Sequence, residues 1–507
     1  MSGSNEETAA GLSSRDRRTL LAMIWLLGAL VRLFPLLTYS GGLSRPLGMG
    51  GLYLLFSQEI ARGGFALPTS IPYYTQAGLP YAYPPLAFYI EALGLLVGFS
   101  PFLLVNVLPA LFSILTVGAF YLLARSFFSE ARQALLATAI YALLPAAFLE
   151  HLPGEGLVES LGTLLFIGGV VLLLRLNRRP DWPSTLLLGA FIGLNVLASP
   201  GGAYGLALSL LVLWLFRAGG QRAPCLRLLS AGVLGLLLSA PYWLTVALRH
   251  GLAIFYRTFF QQHADLGAWL LAKSGFAVEQ RLALSPWGIL ALIGLAICLA
   301  HRNWALPLWC LAVYAIPREF AYLVAVPLAL LSAWGLGEIV QALTRRDRAA
   351  GRRSTAALVL LVLFAWGIVR AFAWAASIPR EKELVTAARM EMMTFVRDHT
   401  PTQATFLVLG DEIEWFPVLC KRTTLNVVWG SEWVEDRRIF RLQEELLQCP
   451  SPACYLETAR RYNLHPDYLY ISRSPDLAGA LAAARNEPAL EEVWENEGAA
   501  LFRVCFP

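Results

Sequence analysis

About eleven stretches of this chain are apolar over the length a bilayer crossing requires, and they leave it few ways to fold. They lie near 19–38, 101–124, 133–149, 156–175, 185–199, 202–216, 228–248, 286–300, 303–316, 321–342 and 355–376. With 57% hydrophobic and 15% charged residues over 507 positions, the chain cannot hide this surface in water. A soluble domain carries about one quarter charged residues, and the mean hydropathy of +0.56 agrees with a bilayer as the main solvent. The fold expected is an α-helical polytopic membrane protein.

Orientation follows from arginine. Short connections carrying Arg125 and Arg132, then Arg175, Arg178 and Arg179, then Arg217, Arg222 and Arg227, then Arg302, and finally Arg345, Arg346, Arg348, Arg352 and Arg353 alternate with connections poor in basic residues. By the positive-inside rule these five connections and the tail 1–18 are cytoplasmic. The membrane domain is then 19–377, with two long external loops, 39–100 and 249–285. Shorter external turns fall at 150–155, 200–201 and 317–320, and an extracytoplasmic domain occupies 378–507. The polar start and Arg15, Arg17 and Arg18 ahead of the first run read as a membrane anchor, not a cleaved signal. The location expected is the plasma (inner) membrane.

In the last 130 or so residues the pattern changes to alternating helix and strand signals. Residues 381–398, 436–447 and 476–485 read as helices. Residues 404–409, 467–472 and 499–505 read as strands, so the C-terminal domain is expected to be a small α/β unit. Four of the seven cysteines, Cys420, Cys449, Cys454 and Cys505, lie there. An exported domain permits disulfides, and Cys449 and Cys454 could close a short loop, with the pairing left open. No paired CxxC metal spacing occurs. A net charge of +5 is too small and too dispersed to suggest nucleic acid. Lysine occurs only at Lys273, Lys382 and Lys421, which reads as a composition bias.

The most specific local pattern is Tyr81–Ala82–Tyr83–Pro84–Pro85–Leu86 in the first external loop. It follows a helix-like stretch, Gly51 to Arg62, over which Tyr53, Ser57 and Ile60, with Gly63 just beyond it, keep an aromatic-xxx-small-xx-Ile-xx-Gly spacing. Pro-Pro also simply starts helices. Together with Arg32 in the first span, many spans with Arg-bearing inner loops and an exported C-terminal domain, this pattern resembles the GT-C superfamily of membrane glycosyltransferases. These use sugars carried on polyprenyl phosphate, and the resemblance is to their protein mannosyltransferase and aminoarabinose transferase types. It covers the membrane portion as an architecture, with about 60 residues of recognisable local pattern.

Two departures matter. The superfamily usually places an Asp or Glu just after the first span, whereas Arg45–Pro46–Leu47–Gly48–Met49–Gly50–Gly51 has no acid. The aminoarabinose transferases carry an acid and a base inside the Pro-Pro motif, where Ala82 and Tyr83 stand here. Glu59, the only acid earlier in that loop, reads as a polar-face residue of its helix.

The resemblance implies transfer of a sugar from a polyprenyl-phosphate-linked donor to a lipid, glycan or protein acceptor, with membrane lipid as a partner. Such chemistry needs a base for the acceptor hydroxyl and cations for the departing phosphate. The second external turn offers Glu150, His151, Glu155 and, one helical turn on, Glu159. Glu155 is the preferred base because its glycine neighbours allow close approach, although the same acids could merely solvate a turn. Candidate substrate-binding residues are Arg45, Tyr81, Tyr83, Arg257, His263, Asp265, Lys273 and Arg318. Each could equally be interfacial or structural. Glu414–Trp415 and Glu432–Trp433 set carboxylates beside aromatics, which suits sugar binding or ordinary domain docking. The sugar, the acceptor and any divalent-metal need stay open. So do two rival functions, a transporter or flippase of lipid-linked substrate and a silent relative that binds glycolipid or a partner.

Overall fold

In a computed structural model, residues 12–217, 222–255, 277–278, 281–316, 320–349, 355–434 and 438–505 are described. Arg257, His263, Asp265, Lys273 and Arg318 lie outside them.

Each of the eleven apolar runs falls on helix. Seven helices of the described chain are long and apolar enough to cross a membrane, and a pair bent by 82°, Ala131–Leu143 with Pro145–His151, makes an eighth if counted as one span. In order these spans are α1 (Ser14–Thr38), α4 (Pro101–Phe127), α5 (Ala131–Leu143) with its bent extension, α6 (Leu157–Arg178), α8 (Pro200–Arg217), α9 (Arg222–His250), α12 (Ala321–Ala349) and α13 (Thr355–Lys382). Four apolar helices are shorter: α3 (Leu86–Val97), α7 (Trp182–Ala198), α10 (Pro286–Ala300) and α11 (Ala305–Tyr314). Their starts are written in the sequence. Ser100 and Ser285 accept from the amides of Leu103 and Gly288 with Pro at the first helical position, and Asp181 accepts from Ser184 at 2.8 Å. A capping oxygen satisfies an amide that the helix cannot, and Pro lacks the amide that would go unpaired.

The two ends of the bundle differ chemically. At one, Arg178 donates to the Ser126 carbonyl at 2.7 Å, Arg125 to that of Ser129 at 2.9 Å, and the Arg217 guanidinium lies 4.4 Å from the Phe127 ring centre. This gathers three of the arginine-bearing connections around the end of α4. At the opposite end of α4, Asn106 binds the first long loop. Between them Arg32 is fully buried, donating to the Ser113 hydroxyl and to the carbonyls of Gly28 and Ala142. Burying a guanidinium is costly unless its donors are met, and here Nε and Nη1 are met while Nη2 has no hydrogen-bond partner among the described residues.

Within the first loop, α2 (Gly51–Arg62) forms where helical spacing predicts it. A two-stranded hairpin follows, β1 (Ser70–Ile71) with β2 (Leu79–Pro80), and a second short pair joins β3 (Ala277–Val278) to β4 (Arg281–Leu284). Helix α13 runs on to Lys382, past the junction read at 377–378, because its helical backbone does not stop where hydropathy falls. Helix α14 (Ala387–His399) therefore begins later than the expected 381.

Beyond α14 lies a five-stranded sheet of order β6-β5-β7-β9-β8. Its strands are β5 (Thr405–Leu409), β6 (Thr423–Thr424), β7 (Tyr468–Ser472), β8 (Leu490–Glu495) and β9 (Ala499–Val504). The first three are parallel and the β7–β9–β8 pairs antiparallel. Strands β5 and β7 are largely apolar, apart from Thr405 and Ser472 at their ends, and buried because both faces are covered. Leu407, Leu469, Ile471 and Phe502 pack under the helices Arg438–Leu447, Pro452–Arg461 and Ala478–Ala484, whereas Phe406, Val408, Tyr470 and Leu501 pack against Met392, Met393 and Val396 of α14. Strand β8 and helix Pro452–Arg461 lacked a clear periodic signal. Cys449 and Cys454 form the disulfide that sequence left open, while Cys420 is a buried and Cys505 an exposed free thiol.

Buried Arg422 closes the C-terminus of α14. It donates to the carbonyls of Arg397 and Thr400 at 2.7 and 2.6 Å, to the Thr400 hydroxyl at 3.1 Å, and to the carbonyls of Cys420 and Lys421. A cation there meets orphan carbonyls and the negative helix end together. Arg422→Met is expected to destabilise the C-terminal domain by roughly 2–4 kcal/mol, read as its urea midpoint by limited proteolysis.

Candidate active site

The stretch 45–51, where no acid occurs, is the junction of four chain segments. Leu47 donates its amide to Asn106 Oδ1 at 3.0 Å, and Asn106 returns its amide to the carbonyls of Gly42 and Arg45. The Gly48 amide donates to the Lys382 carbonyl at 2.9 Å, and the Gly154 amide to that of Leu47 at 2.9 Å. From the C-terminal domain, Trp415 Nε1 donates to the Gly48 carbonyl at 2.7 Å. The glycines make this approach possible. Gly48 has φ +81°, and a Cβ there would collide with Glu155 Oε2 and Pro153 Cβ. Gly48→Ala is therefore expected to cost about 1–3 kcal/mol and to displace Glu155, seen as a lower thermal midpoint of the purified protein.

Two carboxylates face this loop. Glu155, in a short 3₁₀ turn Gly154–Gly156, accepts from the Met49 amide at 2.7 Å through Oε2 and from Lys382 Nζ at 3.0 Å through Oε1. The pair stays open to solvent, with side chains 24% and 38% exposed, and exposed Met49 borders it. Glu414 is its opposite, almost wholly buried. It accepts from the amides of Gly50, Gly51 and Leu52, at 3.1, 3.0 and 2.5 Å, which begin α2. A carboxylate at a helix N-terminus meets both the orphan amides and the positive helix end. Burial nevertheless pushes its pKa up to about 7, with the three amides pulling the other way and the nearby Glu155 charge adding to the rise. Tyr74 donates its hydroxyl to the Glu414 carbonyl at 2.6 Å and completes the junction.

On the far side of α2 the Tyr-Pro-Pro turn builds an aromatic cluster. Tyr83 and Tyr53 share a hydroxyl contact of 3.0 Å, and their rings lie against Trp433 and Trp429 at 5.2 and 4.9 Å between centres. Tyr242 of α9 anchors the turn by donating to the Ala82 carbonyl at 2.6 Å.

The sequence profile of the dolichyl-phosphate-mannose-protein mannosyltransferase family matches residues 82–245. No curated protein matches in sequence. Solved structures do match in shape. The archaeal oligosaccharyltransferase AglB from Archaeoglobus fulgidus, in complex with an inhibitory peptide and a dolichol-phosphate, superposes with a TM-score of 0.65 at 13% identity, over 90% of this chain and 69% of that one. ArnT from Cupriavidus metallidurans, bound to undecaprenyl phosphate, gives 0.61 at 16% identity over 97% of this chain and 98% of that one. The arabinofuranosyltransferase AftD from Mycobacteria gives 0.56 at 16% identity over 98% and 40%. The chain has the GT-C fold.

On the GT-C frame the expected site residues separate into three groups. Glu155 reaches the first-loop junction, and Glu150 is exposed on the neighbouring turn. Three others differ from expectation. His151 is not at the surface but fully buried, with its ring nitrogens 3.3 Å from the Ser113 hydroxyl and 3.1 Å from that of Thr163, because the turn points its ring into the bundle. Arg45 is engaged by Glu383 at 2.8 Å and by the Val385 carbonyl, so it ties the first loop to the segment after α13. Tyr81 is buried in the aromatic cluster under α2. Tyr83 is half-buried beside it, and the remaining five candidates fall outside the described residues.

Sequence reasoning missed Lys382 as a site residue, and it marked Glu414–Trp415 for sugar binding or domain docking, of which the structure shows the docking, without placing it on the acid-free stretch. The signals available were a rare lysine at the end of a span and a carboxylate beside Trp415. Among the described residues, no group of three or more His, Cys, Asp or Glu side chains is disposed to hold a metal ion.

Proposed function

We propose that this protein transfers a sugar from a polyprenyl-phosphate carrier to an acceptor hydroxyl on the extracytoplasmic face of the plasma membrane. One observation carries the reading: a solvent-open carboxylate, Glu155, held by the Met49 amide and Lys382 at the loop end of a GT-C bundle. The polyprenyl phosphates named with AglB and ArnT support the choice of donor. The gathering of arginine connections at the other end of α4 supports the orientation.

In the proposed step the acceptor oxygen forms a bond to the anomeric carbon while its proton passes to Glu155 Oε1. The bond from that carbon to the phosphate oxygen breaks, and its electron pair leaves with the carrier phosphate. A single base opposite the leaving group gives inversion at the anomeric carbon. The Met49 amide holds Oε2 and so fixes the carboxylate, while Oε1, bonded to Lys382 at rest, is the oxygen that takes the proton. Lipid, glycan and protein acceptors all carry a suitable hydroxyl, and hexosyl and pentosyl donors both fit this chemistry.

The test supplies vesicles containing the purified protein with radiolabelled polyprenyl-phosphate sugars, with and without a divalent-ion chelator. Consumption of at least one donor, with release of free polyprenyl phosphate, is expected. Donors left intact beside retained carrier binding would instead favour the silent lipid-binding relative, a reading motivated by the acid-free stretch 45–51.

A further inference from the structure

We infer that Lys382 is the cation that receives the phosphate of the lipid carrier, and that its pairing with Glu155 is a resting state which the phosphate displaces. This rests on the proposed function and adds a residue and a sequence of events to it.

An ammonium has three N–H groups and no acceptor. Lys382 spends one of them, on Glu155 Oε1 at 3.0 Å, and its side chain is 38% exposed, so the rest of its capacity faces solvent. Two neighbouring cations among the described residues are committed. Arg45 is held by Glu383, the Val385 carbonyl and Ser40, and Arg389 by buried Glu412 and the Leu384 carbonyl. Lys382 alone of these three joins a single side chain to open space.

Lys382 is the last residue of α13, whose exposed Leu358, Leu361, Val362 and Val369 mark a face turned toward lipid. A lysine ending such a helix lies at headgroup depth, where its stem stays in apolar surroundings and its ammonium meets phosphate. Its backbone is fixed there too, since the Lys382 carbonyl accepts the Gly48 amide at 2.9 Å.

The consequence is a sequential arrangement. The donor's phosphodiester, with one charge shared over two free oxygens, competes with Glu155 for Nζ, and Oε1 is free for the acceptor proton once Nζ has passed to it; the monoester left after transfer carries a second charge and holds Nζ more strongly. Before the donor arrives, the base is occupied.

The experiment measures binding of fluorescent decaprenyl phosphate to the full-length protein in phosphatidylcholine nanodiscs. Lys382→Met is expected to weaken binding about tenfold or more, as loss of a charge-assisted contact does, and Lys382→Arg to restore it to within about threefold. Glu155→Gln is expected to tighten binding several-fold, because it removes a competing anion. Opposite signs are what a merely structural bridge cannot give. Equal weakening in both variants, or binding in Lys382→Met equal to the parent, overturns the inference while leaving the proposed function standing. A parent protein that binds no decaprenyl phosphate overturns the functional reading itself. Displacement of the lipid by equimolar inorganic phosphate would reassign the site to a free anion.

Discussion

Glu414→Ala is expected to release the C-terminal domain from the first loop, and with it the shape of the site. Its carboxylate is the shared acceptor for three successive amides at the start of α2, all in a buried setting. Alanine leaves those amides without water or partner, at a cost of about 1–3 kcal/mol for the first and less for each that relaxation can rescue. A local loss of about 3–4 kcal/mol corresponds to roughly a hundred- to a thousand-fold drop in amide exchange protection at residues 50–52. Glutamine keeps an acceptor oxygen but turns an N–H₂ toward N–H groups, so Glu414→Gln should fall between parent and alanine. Exchange mass spectrometry on the peptide covering 47–56 reads both, and unchanged protection in the alanine variant would remove Glu414 from its role as the link. Because Trp415 and Tyr74 remain as further ties, the domain is expected to loosen and not to detach completely.

How much of this was legible beforehand depends on the range of each interaction. The membrane helices are written in local composition, since a bilayer imposes length and apolarity on each run separately. Helix α2 and strands β5 and β7 were also readable, the first from 3.6-residue spacing and the strands from short, mostly apolar runs. Glu155 was found because glycine and proline flank an acid at a turn. The site's other half was not legible. Lys382 meets Glu155 across a separation of 227 residues, and Glu414 meets Leu52 across 362. Nothing beside Lys382 announces a partner so far away, and Glu414 beside Trp415 suggested docking without saying on what. His151 was misplaced for the related reason that a turn sequence does not say which way a ring points. Its burial follows from Ser113 and Thr163 on two other helices. The acid-free stretch 45–51 had weakened the case for activity, but there the loop's backbone amides bind Glu155 and Glu414, which arrive from distant segments.

Glu155→Gln carries the largest expected effect on chemistry. Glutamine is nearly the same size and can still accept from the Met49 amide, so the loop should hold its shape. It cannot take a proton from the acceptor. General-base catalysis typically supplies about 10²–10⁴ in rate, and a loss of that order is expected in kcat for sugar transfer, with donor binding preserved or tightened. The Lys382 contact would be weakened too, yet this ion pair is partly exposed and contributes only about 1 kcal/mol or less to stability. Loss of fold therefore does not account for a drop of that size.

The most direct measurement is single-turnover transfer from a labelled polyprenyl-phosphate sugar by purified protein in vesicles, comparing the parent with Glu155→Gln at saturating donor. The account predicts that the parent releases polyprenyl phosphate and that the variant binds donor but releases it at least about a hundredfold more slowly. Equal rates in the two proteins would contradict it.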